Sequence, residues 1–501
     1  MKKNIISNFF GRTWSVLIGI IAVPLYIDFL CIEAYGLIGF FSVLMSSLSL
    51  LEFGLSTTIN RDIARYAGIK EKHNHVRDLS RSLEFIYWFM GITLAIVFFL
   101  MAPAISKYWI QAEKLSIANV QEAIILMGIC IAFQWPISLY NGGLMGLEKQ
   151  ISLNVITASF GTLRALGAVL LLTVFKPSIS LFFQWQVGIT FLHVSFIFFS
   201  FWKYMPKGTR KPRFSIEILK SIWKFTAGMG ASGIVTFLLS NLDKLILSKI
   251  LGLSEFGSYN VASTVNNASK LPASSVFSAL FPRFAALYEL GDNSSLRVLL
   301  HKGTQFISLV VFPISAIIVF YSYDIVYVWS QNANLASSTS LMISILVLGS
   351  AINVSMGILG DLIVASGLSI YVFYQNLISV VFIVPLMIFL AIKYGGLGAA
   401  VAWLILNIGY LFISVPILMN KTQPGELLHW YLVDFGKPIL VSFGVVGLGK
   451  LFIPHIHSLP LQVLVIGLVW LVAQFTCFKS LPHIREFAAN WWSGFKLKKR
   501  E

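Results

Sequence analysis

The sequence predicts an all-α polytopic membrane protein of about 14 transmembrane helices. They form two six-helix lobes in a parallel pseudo-repeat, followed by a C-terminal helix pair. Three observations predict this. Of 501 residues, 57% are hydrophobic and only 12% charged, with mean hydropathy +0.81, whereas soluble domains carry about 25% charged residues. Apolar stretches of about 20 residues, long enough to cross hydrocarbon as a helix, recur along the whole chain. Short motifs also return at a constant offset of about 222 residues.

The spans fall at roughly 10–30, 36–59, 83–103, 121–143, 151–174, 180–202, 222–249, 256–281, 303–323, 339–364, 371–392, 396–419, 437–453 and 460–478. The first follows Lys2 and Lys3 like a secretory leader. Its apolar run is too long, Arg12 interrupts it and no small-residue cleavage site follows, so it reads as an uncleaved helix. With a cytoplasmic N-terminus, and with cations at span ends counted in the flanking segment, 27 of the 37 Lys and Arg residues fall in cytoplasmic segments and six in outside loops. Such a bias places both termini in the cytoplasm. The net charge of +16 is therefore topogenic, set against anionic headgroups, and does not call for nucleic acid.

The repeat divides the chain. Glu33-Ala-Tyr-Gly36 opens the second span and Ser254-Glu-Phe-Gly257 the eighth, while Arg61, Ala64 and Tyr66 return as Arg283, Ala286 and Tyr288. Asn154 and Asn376 share the offset. Six spans per repeat return the chain to the same side, so the repeats are parallel. The expected organisation is an N-terminal six-helix lobe over 1–207 and a basic cytoplasmic linker over 208–221. A C-terminal six-helix lobe over 222–420 follows, then a two-helix hairpin with a basic tail over 421–501.

Two cations lie deep in apolar spans: Lys270 in the eighth and Arg164 in the fifth. A charge at that depth costs at least about 2.5–3.5 kcal/mol and marks a partner charge or a watery path. Neither has an acidic residue three or four positions away on its own helix. Polar stripes accompany them at steps of three and four. The eighth span carries Asn260, Ser263, Asn267, Lys270, Ser274 and Ser278; the fifth carries Asn154, Thr157, Gly161 and Arg164; the tenth carries Ser350, Asn353, Gly357 and Asp361. Such stripes fit the walls of a polar cavity that receives an anion, although Ser, Gly and Asn also serve as ordinary helix–helix contacts. Lys244 stands beside Asp243, and the two either neutralise each other or face the cavity. Glu52 and Asp361 are candidates for pairing with arginines or for ion coupling.

Other patterns lead nowhere. Gly444-Val-Val-Gly-Leu-Gly-Lys450 has phosphate-loop spacing, but Leu451 stands where Ser or Thr is needed and the run lies inside a span. Gly228-x-Gly230-x-x-Gly233 follows no strand. Cys31, Cys130 and Cys477 form neither a disulfide framework nor a metal pattern, and His455-x-His457 reads as a polar loop. No cofactor or metal is expected, and no nucleophile–base constellation suggests an enzyme.

Three blocks stand out: Trp14 through Val23-Pro-Leu-Tyr26, Tyr35-Gly36, Glu52-Phe-Gly-Leu55 and Arg61; then Asn241-Leu-Asp-Lys-Leu-Ile-Leu-Ser248 and Leu280-Phe-Pro-Arg283; and Gly395-Gly-Leu-Gly-Ala-Ala400. They resemble the polysaccharide flippases of the multidrug/oligosaccharidyl-lipid/polysaccharide exporter superfamily, chiefly the Wzx flippases of O-antigen and exopolysaccharide. The resemblance covers about 420 residues. It implies a bacterial inner-membrane transporter for an undecaprenyl-diphosphate-linked oligosaccharide, acting by alternating access from cytoplasmic to periplasmic leaflet. A glycan polymerase and a chain-length regulator are the implied partners. Lys270, followed by Leu271-Pro272, resembles a cationic position on this helix in lipid II flippases. Arg12 and Arg61 stand near further arginines of those relatives. The last two spans resemble a pair that holds the polyprenyl tail in lipid II flippases.

The residues expected at the diphosphate and sugars are Lys270, Arg164, Arg12, Arg61, Asn267, Asn260, Asn154 and Lys244. Tyr26, Trp135 and Trp185 are candidates for stacking on sugar rings, or else membrane anchors. Three alternatives stay open: an ion-coupled multidrug exporter, a lipid II flippase and an intramembrane glycan polymerase or ligase.

Overall fold

A computed structural model describes residues 2–52, 54–222, 241–452 and 458–498. The side chain of Arg12 lies outside this description, as do Lys224, the Gly228 run, His455 and His457. The described residues are helical almost throughout. They contain no strand, only an isolated bridge between Gln111 and Gly252.

Among them, ten helices are long and apolar enough to cross a membrane. Two of these each run through a pair of expected spans. The Lys2–Leu51 helix breaks at Cys31 (φ 70°, ψ 164°). Ser369–Gly409 breaks at Gly395 (φ 59°, ψ −142°), a conformation open mainly to glycine. The expected 36–59 span ends early, at a turn with Gly54 at φ 76°, and the chain resumes as the amphipathic Leu55–Tyr66 helix. The expected 256–281 span lies within Leu253–Glu289, whose polar stripe lowers its hydropathy. Most of the 222–249 span is outside the described residues.

The chain forms two compact units, Met1–Gly257 and Ser258–Glu501. In the first, the Ile117–Gly146 helix packs on His73–Ala104, Ile179–Tyr204 and Leu55–Tyr66. Its N-terminus is capped by Ser116, whose hydroxyl accepts from the Asn119 amide, a contact worth about 1 kcal/mol. A Cβ on Gly142 would lie 2.4 Å from the Ser56 carbonyl oxygen, and one on Gly146 would lie 2.6 Å from that of Asn60. The crossing thus depends on small residues one turn apart. Ile59, Leu83, Tyr87, Tyr140 and Phe201 fill the core beneath it.

Gly36 and Gly257, matched in the expected repeat, meet here. A Cβ on Gly36 would lie 2.4 Å from the Leu253 carbonyl oxygen, and one on Gly257 would lie 2.3 Å from that of Ile32 and 3.2 Å from the Gly36 nitrogen. The basic 203–220 segment is not loose. Arg210 pairs with buried Asp78, whose Oδ1 also accepts the Arg213 amide at 2.8 Å. Ser82 accepts the Ser215 amide at 2.8 Å.

In the second unit, Asn293–Phe320 packs on Ala333–Ala365 and on the last helix pair, Lys437–Phe452 and Leu459–Ser480. Asp292 caps it, and hydrogen bonds from Ser295 and Ser294 hold this exposed carboxyl down at about 2. Phe284, Leu300, Phe312, Leu362 and Trp430 form the main core. Ala316, Ile317 and Tyr321 bury Val446, Val469 and Ala473 of the last pair. One end of that pair is fixed by buried Asp324, which accepts from Lys450 Nζ at 2.5 Å and Gln462 Nε2 at 2.7 Å.

Candidate functional site

Arg164 sits on the Gln150–Val174 helix of the first unit. Its Nη2 donates to Gln134 Oε1 at 3.2 Å and to Thr190 Oγ1 at 3.3 Å. Its Nε is shielded from solvent and makes no hydrogen bond among the described residues. No described carboxylate lies within ion-pair distance. Neutral acceptors lower the cost of a shielded guanidinium without cancelling its charge. The helix around it is braced by side chains of other helices. Tyr26 donates to the Ala165 carbonyl at 3.1 Å, Trp185 Nε1 to the Arg164 carbonyl at 3.2 Å and Trp14 Nε1 to Thr162 Oγ1 at 2.9 Å. His193 stacks on Phe160 at 4.7 Å one turn away.

Lys270 lies on the part of Leu253–Glu289 that belongs to the second unit. Its Nζ is half-exposed, 3.5 Å from Asn267 Oδ1 and 5.4 Å from the centre of the Trp403 ring. A cation over an indole face gains about 0.5–2 kcal/mol, depending on how dry the site is. Trp403 is held in turn, its Nε1 donating to Ser350 Oγ at 3.0 Å. Asn407 donates to the Trp403 carbonyl at 2.7 Å and accepts from Asn353 Nδ2 at 2.7 Å. Two members of the tenth-span stripe, Ser350 and Asn353, therefore act as helix–helix contacts that position Trp403. The eighth-span stripe is graded: Asn260 and Ser263 are buried, Asn267 and Ser274 exposed.

Arg61 is exposed and pairs with Asp62 at 2.9 Å. Glu52 accepts from the buried Tyr87 phenol at 3.0 Å. Asn154, Asp243 and Lys244 are half-buried. Asp361 is half-buried too, and its Oδ2 is shielded without a hydrogen-bond partner among the described residues. Tyr26 and Trp135 are packed inside, at 8% and 3% exposure. They face helices, not an open wall, and Trp185 lies against Gly167. An apolar cavity of about 430 Å³ opens between the arms of the 369–422 run, lined by Tyr374, Ile378, Phe382, Ile405, Tyr410 and Ile417. Its walls suit hydrocarbon and offer little to a sugar.

Sequence reasoning missed Gln134, Thr190 and Trp403. Gln134 was visible as a polar residue inside an apolar span. Trp403 gave no signal, because tryptophan in a span reads as an anchor.

The model of a family described as polysaccharide biosynthesis protein matches residues 29–333, a stretch that holds both Arg164 and Lys270. The chain belongs to the polysaccharide biosynthesis protein family. This family member is 24% identical over 406 residues to the "Putative O-antigen transporter" of Shigella flexneri, covering 80% of this chain and 93% of that one. It is 25% identical over 248 residues to the lipopolysaccharide biosynthesis protein WzxC of Escherichia coli K12, covering 48% and 49%. Its fold is that of the lipid II flippase MurJ in an inward closed conformation. The TM-score is 0.74 at 17% identity, over 96% of this chain and 99% of MurJ. An inward-facing MATE family multidrug transporter matches with a TM-score of 0.64 at 15% identity, over 82% and 96%. The polysaccharide biosynthesis family member is thus a multi-pass membrane protein with the fold of flippases and exporters, and its named relatives are transporters rather than enzymes.

Proposed function

We propose that the protein moves an undecaprenyl-diphosphate-linked oligosaccharide, an O-antigen or exopolysaccharide repeat unit, from the cytoplasmic to the periplasmic leaflet of the inner membrane by alternating access. Both termini are then cytoplasmic, and a glycan polymerase and chain-length regulator act downstream. The observation that carries this reading is Arg164: a guanidinium deep in an apolar span, held by neutral Gln134 and Thr190, with no described carboxylate in reach. Such a group has charge to offer an anion. Lys270, over Trp403 and beside exposed Asn267, offers a second cation on a polar face.

The chemistry suits the substrate. A polyprenyl tail can stay in lipid, but sugars and diphosphate lose several kcal/mol per unpaired polar group there. Polar side chains and cations lower that barrier. In this scheme Arg164 and Lys270 neutralise the diphosphate, and Asn267, Asn260, Asn154 and Lys244 hold polar groups of the passing substrate. Arg12 and Arg61 act at the cytoplasmic mouth, while Asp243, Glu52 and Asp361 supply pairing or ion coupling. Basic rather than acidic residues at depth weigh against export of organic cations.

The test is complementation of a flippase-null strain, with lipid-linked intermediates followed in parallel. Lys270→Ala should reach the membrane in normal amounts yet fail to restore surface glycan. Full restoration by that variant would remove Lys270 from the mechanism. Normal surface glycan after deletion of the gene would remove the proposed substrate.

A further inference from the structure

A second polar cluster lies in the second unit. His301 is near the start of Asn293–Phe320, His429 ends the short Leu427–His429 turn, and Asp434 lies in the Trp430–Gly436 segment. One donor atom from each of the three falls within 4.8 Å of the other two. His301 and Asp434 are buried, and His429 is exposed. We propose that His301, His429 and Asp434 bind a divalent transition-metal ion of the zinc class.

Two imidazoles and a carboxylate are a donor set that zinc accepts, with bonds of about 2.0–2.2 Å. Ligand atoms on a tetrahedral ion at that distance are about 3.3 Å apart. To reach this spacing the His301–Asp434 contact must open to admit the ion, and the exposed His429 ring must turn toward it.

The surroundings match what metal ligands require. His301 Nδ1 contacts Asp434 Oδ2, so these two donor atoms are already side by side. The opposite ring nitrogen, Nε2, is 3.2 Å from Glu426 Oε2, and Arg297 holds the other oxygen of that carboxylate at 2.9 Å. A ligating histidine characteristically donates its second N–H to a carboxylate, which fixes its tautomer and raises its basicity. Asp434 is oriented in the same manner. Its Oδ1 accepts from Gln305 Nε2 at 2.8 Å, and its backbone carbonyl accepts from Ser308 at 2.7 Å. Gln305 Oε1 accepts the His483 amide at 3.0 Å, and the His483 ring lies 6.2 Å from that of His301. An ion here would clamp the segment leading into the last helix pair onto the Asn293–Phe320 helix.

The experiment uses the full chain, without a polyhistidine tag, purified in detergent and stripped with a chelator. Zn²⁺ alone, then Co²⁺ alone, is added and the unbound metal removed. The expected result is about one ion retained per chain, with a tetrahedral Co²⁺ absorption band. His429→Ala should weaken retention by about tenfold or more. Because His429 is exposed, that variant should keep the melting temperature of the metal-free protein. Asp434→Asn should abolish the Co²⁺ band. Failure to retain metal would overturn the site. Retention undiminished in His429→Ala would overturn it as well.

Discussion

Replacing Arg164 by methionine separates a binding cation from a structural one. The substitution keeps much of the volume and removes the charge. It deletes two hydrogen bonds, to Gln134 Oε1 and Thr190 Oγ1, each worth about 1.5–3 kcal/mol when a charged group takes part. It also removes the desolvation penalty of a shielded ion, which is several kcal/mol in proteins. No described carboxylate is left unpaired, so the usual cost of breaking a buried ion pair does not apply. The two terms offset, and the melting temperature in detergent should stay level or rise. Transport should behave differently. If the guanidinium pairs with diphosphate, its loss removes about 1.5–3 kcal/mol of charge-assisted bonding, or roughly tenfold to hundredfold in rate or affinity. Arg164→Lys keeps the charge but loses the fork, and should fall between. The assay is translocation of a fluorescent lipid-linked oligosaccharide in proteoliposomes, beside a melting curve for each variant. Wild-type transport by folded Arg164→Met would refute the binding role. Collapse of its melting temperature would show that the cation holds the helices together.

Other predictions concern the packing. Gly257→Ala places a methyl 2.3 Å from the Ile32 carbonyl oxygen, a backbone atom that cannot swing aside. It should lower stability by about 1–3 kcal/mol, and an unchanged melting temperature would mean that this contact opens freely. Lys450→Met leaves the buried Asp324 carboxylate with Gln462 alone. That should cost about 2–4 kcal/mol and raise hydrogen exchange over the last helix pair. Adding Asp324→Asn should restore most of the loss, and exchange unaltered by Lys450→Met would show that water already serves the carboxylate.

The all-helical class was legible because hydrocarbon punishes unpaired backbone groups, so length and hydropathy alone identify a spanning helix. Breaks were harder. Gly395 is one glycine among several, and nothing at Cys31 announces φ 70°. The deep cations were legible for a related reason: a charge stands out where everything near it is apolar. Their partners were not. Gln134 is 30 residues from Arg164, and Asp434 is 133 residues from His301, distances over which no local period operates. The histidine cluster was invisible for the opposite reason. His301, His429, Asp434 and His483 lie at span ends, where polar residues are ordinary and make no contrast.

This difference changes how a polar stripe should be weighed. Ser350 and Asn353 share one stripe, and both are engaged: Ser350 accepts from Trp403 and Asn353 donates to Asn407. Asn267 and Lys270 share another stripe with buried Asn260, yet they reach the surface of their unit. Spacing cannot distinguish the two cases, because helical periodicity aligns side chains without saying what they face. What distinguishes them is whether a neighbouring helix supplies matching donors and acceptors. Where it does, the stripe is already satisfied by packing. Where it does not, the polar groups must meet water or substrate, since lipid would leave them unpaired. On that criterion the functional weight shifts away from the tenth-span serine and asparagine. It falls on exposed Asn267 and on Arg164, whose shielded Nε is matched by no described acceptor.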